Sequence, residues 1–175
     1  MEKESYEYYY LLSNRIESFD LQSFLKFILK EVGEFEFRYV IKDRRKFDSL
    51  NFYFGSEKSA KTPTVNIKKI SEIQKIDKYV IPERIDFKNS DFFIIFSYPL
   101  TGKIETDFCI FIVTKIDEKD NIFLLNSFPE LPEKMFHFLK PEIYCEGIER
   151  TCPFKEDIDF DYINSCLKFK KYPLL

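Results

Sequence analysis

The sequence predicts an α+β domain: an antiparallel meander sheet of about five to seven strands, with N-terminal and C-terminal helices packed on it. Three observations carry this. Residues 92–98 and 108–115 are near-continuous apolar runs rich in Phe and Ile, and 122–128 is a shorter third run. Turn-forming residues at 99–102 and 117–121 separate the runs, and such short connections cannot hold a crossover helix, so neighbouring strands must be antiparallel. Apolar residues at helical spacing flank these runs toward both ends of the chain, and strands that are apolar on both faces need such cover.

From the N-terminus, Tyr9, Leu12, Ile16 and Phe19 recur at helical spacing and predict a first helix. Leu21, Phe24, Leu25, Ile28 and Val32 form a cleaner stripe over 20–32. Asp20 offers a side-chain oxygen to the unpaired amides of that helix's first turn, and Gly33 stands where a helix-ending residue adopts positive φ. Over 34–42, Phe35, Phe37, Tyr39 and Ile41 alternate with Glu36, Arg38, Val40 and Lys42, the period of a half-buried strand. Leu50, Phe52 and Phe54 repeat that pattern, so a hairpin through 43–48 is expected, followed by a polar loop over 55–63. Val65 and Ile67 predict a short strand. Ser71 with Gln74 makes a capping-box pattern, and Ile70, Ile73 and Ile76 keep helical spacing, so a short helix is expected over 71–79. Beyond the central runs, residues 133–139 read as a short helix stopped by Pro141, 142–156 as irregular, and 157–170 as a last helix on Phe160, Ile163 and Leu167. No repeat, low-complexity tract or linker-like stretch interrupts the chain, so residues 1–175 are expected to form one domain.

Composition narrows the classes of function. With 21 Phe, 11 Tyr and 45% hydrophobic residues, the chain can bury enough apolar area to offset its conformational entropy, which excludes a disordered segment. The Phe, Ile, Lys and Tyr excess fits A- and T-rich coding, with Phe filling the core; the functional alternative is an aromatic surface patch. A net charge of −3 weighs against non-specific binding to nucleic acid. The longest apolar run, 108–113, is far shorter than the ~20 residues that span a bilayer, and the opening MEKESYEYYY lacks a signal-type apolar stretch. Four cysteines suit reduced thiols. A soluble, cytoplasmic protein with no membrane association is the expectation.

No residue pattern specifies a reaction. His137 is the one histidine, so paired-histidine metal motifs are impossible. His137, Cys145, Cys152 and Cys166 are four potential zinc ligands, but seven, six and thirteen residues separate them and no tight knuckle aims two sulfurs at one ion. The four isolated glycines, Gly33, Gly55, Gly102 and Gly147, form no phosphate-cradling loop. Asp86-Phe87-Lys88 matches the acidic-x-Lys element of some nucleases, a match too short to be specific, and Asp91, Glu105 and Asp107 are other carboxylates flanking the central strands. No catalytic residue, metal or cofactor is assigned on these grounds.

Binding is the better expectation. Tyr6, Tyr8, Tyr9 and Tyr10 crowd the expected first helix, where successive residues point around the circumference, so some should be exposed as contact residues. Asp157, Asp159 and Asp161 form an acidic patch that also suits the first turn of the last helix. Arg44 and Arg45, in a basic segment at the expected hairpin turn with Tyr39 and Phe47 close by, could hold nucleic acid by phosphate contacts and stacking. The reading favoured is a small cytosolic protein-binding module of the immunity or inhibitor type, which occludes a toxin or enzyme through Tyr6, Tyr9 and Tyr10 or through the acidic patch. An enzyme with a carboxylate or Cys-His site and a nucleic-acid-binding accessory protein using Arg44 and Arg45 are the alternatives.

Overall fold

The computed structural model describes residues 5–12, 19–41, 63–88, 90, 92–97, 108–117, 122–123, 125, 127–141 and 143–148. The elements among them are β1 (Ser5–Leu12), α1 (Leu21–Glu31), β2 (Phe35–Val40), β3 (Thr64–Ile67), α2 (Ile70–Gln74), β4 (Ile81–Phe87), β5 (Phe92–Ser97), β6 (Phe108–Asp117), β7 (Ile122–Phe123), α3 (Leu131–Leu139) and β8 (Ile143–Ile148). Every strand pair is antiparallel. The sheet runs in the order β3-β2-β4-β5-β6-β1-β8, with β7 pairing β6 off this path. Strands β5, β6 and β7 fall on the three expected runs and pair in chain order, β7 with β6 off the main path, and an α+β fold on an antiparallel sheet is what the chain adopts.

Helix α1 forms where its stripe and caps place it. Asp20 Oδ1 accepts the Ser23 amide at 3.0 Å and Oδ2 accepts the Ser23 hydroxyl at 2.7 Å. At the other end Val32 N–H donates to the Ile28 carbonyl at 2.9 Å, and Gly33 turns the chain away at φ +118°, a conformation that strains any residue with a Cβ. Helix α3 carries a proline in its first turn, where an unpaired amide is expected anyway, and ends on Lys140 in the left-handed conformation just before Pro141.

The register sorts side chains onto two faces. Tyr10 opposes Ile110 and Tyr144, Ile94 opposes Ile112 and Ile85, and Phe37 opposes Ile85, so these side chains share one face. They form one core cluster with Leu21, Phe24, Leu25 and Ile28 of α1, Ile73 of α2, and Leu131, Met135 and Phe136 of α3. All three helices therefore lie on that face. Tyr9, Leu11, Cys109 and Val113 are buried on the opposite face, so the β1–β6 pair is covered on both sides.

Several expectations change. The first helix is strand β1: Tyr8, Tyr9, Tyr10, Leu11 and Leu12 are all buried, and that unbroken burial suits a strand flanked by β6 and β8. The tract expected to be irregular contains β8, the outer neighbour of β1. Strand β4 was not anticipated, because Pro82 lies within it; a register shift opposite Arg38 and Tyr39 accommodates the missing amide. Along 35–38, β2 has β3 on one edge and β4 on the other, so both edges are taken, and the expected hairpin partner at 50–54 lies outside the described residues. Among its described residues the third apolar run gives the two-residue β7 and a turn in which Phe128 N–H donates to Leu125 O at 2.8 Å. The helix expected over 71–79 is the shorter α2, Ile70–Gln74, whose N-cap is Lys69 rather than Ser71; Glu72 reaches back to accept the Lys68 amide at 3.2 Å. The last helix, 157–170, lies outside the described residues.

Candidate functional site

Helices α1 and α3 meet in a seam on the outer surface. Phe27 stacks on Phe138 with ring centroids 4.5 Å apart and planes 17° from parallel. Four residues further along α1 and four residues back along α3, Lys134 Nζ donates to Glu31 Oε2 at 2.9 Å. Rising numbers on one helix against falling numbers on the other make the two helices antiparallel, with the aromatic pair and the ion pair as successive rungs. The Glu31 hydrogen bond holds the Lys134 ammonium above its ordinary pKa, and Glu130 approaches it at 3.7 Å.

The aromatic rung is anchored from below and open from above. Phe24, fully buried, touches Phe138 at 6.1 Å and Phe27 at 6.3 Å, and meets Phe96 of β5 edge-on at 5.8 Å. Phe138 itself keeps 39% of its surface accessible, one of three large hydrophobic side chains exposed among the described residues. Lys26 and Lys30 lie on the exposed side of α1 next to Phe27 in sequence and one turn on. Past the ion pair the seam opens into two adjoining clefts that share Ser127 and Phe128. One, of about 160 Å³, lies against Glu31 and Lys134; the other, of about 330 Å³, reaches Lys88 and Ser90.

No family model, curated protein or solved structure matches this chain.

The residues singled out from sequence fall elsewhere. Tyr9 and Tyr10 are 1% and 0% exposed and lie on a strand, so neither presents the accessible helical ring expected of it. Tyr10 donates its hydroxyl to Pro132 O at 2.6 Å and packs on Tyr144 at 5.0 Å, while Tyr9 packs on Phe111 at 5.5 Å and donates to Glu7. Tyr6 is half-buried, edge-on to Tyr8. Arg44, Arg45, Asp157, Asp159 and Asp161 lie outside the described residues, as do Cys152 and Cys166. His137 is exposed on α3, 3.8 Å from Glu133 one turn back, and edge-on to Phe136. Cys109 is fully buried, its thiol 3.8 Å from the Ile110 carbonyl. Among the described residues no three His, Cys, Asp or Glu side chains gather to hold a metal ion, and no helix is long and apolar enough to cross a membrane. Sequence reasoning passed over Phe27 and Phe138. The available signal was their offset from the buried stripe: Phe27 precedes buried Ile28, and Phe138 follows exposed His137.

A second polar feature lies on the sheet face away from the helices. Arg84 clasps Asp86 through Nε at 2.8 and 3.0 Å, and its guanidinium sits 3.8 Å over the Phe93 ring. Directly across the β2–β4 ladder stands Arg38, a like charge that by itself opposes pairing. Glu83, at the register shift, is half-buried; desolvation raises its carboxyl above the ordinary value of 4.5, and the Arg38 charge partly offsets this. The folded chain thus binds the Glu83 proton more tightly than the unfolded chain does. That contribution to stability is full below pH 4.5 and is lost as pH rises through the higher folded value. Glu83→Gln is expected to be more stable than the parent at pH 7 and to show a shallower loss of stability upward from pH 4.5. Urea unfolding at a series of pH values checks this, and a difference that does not vary with pH would exclude the burial argument.

Proposed function

We propose that this chain is a small cytosolic protein-binding module, of the immunity or inhibitor type, that meets its partner through the α1–α3 seam. The observation that supports the reading is the Phe27–Phe138 stack, an aromatic pair held rigidly by Phe24 yet left accessible at Phe138. A pre-positioned aromatic ring offers a partner large contact area at little entropic cost, which is why such rings dominate binding energy at interfaces.

The test is pairwise binding of the full chain to the products of its neighbouring genes, with rescue from any toxin among them on co-expression. One neighbour is expected to form a stable complex. Phe138→Ala is expected to weaken it by at least about tenfold, in line with the ≥ ~1.4 kcal/mol typical of an aromatic anchor. Failure to pair with any neighbour, or an affinity indifferent to Phe138→Ala, would overturn the proposal.

A further inference from the structure

We draw no further inference here: the strongest candidate, the cleft of about 330 Å³ between the end of α1, the end of β4 and the turn before α3, offers one exposed carboxylate, Glu34, against one exposed ammonium, Lys88, and no buried polar group, so nothing in the structure selects an occupant.

Discussion

Phe24→Ala lowers the unfolding free energy by about 3–5 kcal/mol, the range for truncating a fully buried aromatic side chain. Phe24 is 0% exposed and contacts Phe19, Phe27, Phe96 and Phe138, so it joins α1 to α3 and both to the sheet. Its removal leaves a cavity that three elements would have to move to fill, which places the cost toward the upper end. Denaturant unfolding of the two proteins measures the difference, and a loss below about 1 kcal/mol would mean that the ring is not the hub its contacts indicate. The same substitution takes away the floor under Phe138. Binding through the seam should therefore weaken in Phe24→Ala even at temperatures where the variant is fully folded.

Tyr10→Ala is expected to cost a similar about 3–5 kcal/mol, and Tyr10→Phe only about 1 kcal/mol. The pair of substitutions separates two roles of one side chain. The ring fills the space between β1 and α3 and packs on Tyr144, whereas the hydroxyl reaches the Pro132 carbonyl in the first turn of α3. Phenylalanine keeps the ring and gives up one buried hydrogen bond. If both variants lose the same stability, the hydroxyl tether rather than ring burial would be the dominant contribution. Hydrogen exchange on α3 adds an independent readout, because loss of the tether should speed exchange there more than in α1.

Local signals recovered the elements whose stability is local. Helix α1 was legible from Asp20 to Gly33 because its stripe, its N-cap and its terminal glycine all agree. Strands β2, β5 and β6 were legible from alternation or from runs of β-favouring residues. Strand β1 was misread because every residue from Tyr8 to Leu12 is buried, which erases the period of two and leaves a chance helical spacing. What decides its conformation is pairing with β6 and β8, far along the chain and invisible to a short window. Strand β8 carries Glu146 and Gly147 and was hidden in the same way, while β4 was masked by Pro82. The site follows this division. Phe27 and Phe138 each sit on a legible or nearly legible helix, but their stacking is a tertiary event with no sequence signature.

The place of β1 between β6 and β8 also governs how the chain reaches its folded state. Tyr10 must find Ile110 and Tyr144, so this end of the sheet closes loops of a hundred residues and more. Chains dominated by such distant pairings fold slowly, because loop-closure entropy is lost before the contacts return any energy. On the ribosome, β1 emerges before the strands it pairs with and is among the last of the described strands able to pair. Its tyrosine-rich stretch, buried on both faces in the finished protein, waits until residues 108–117 have been made before its first neighbour exists.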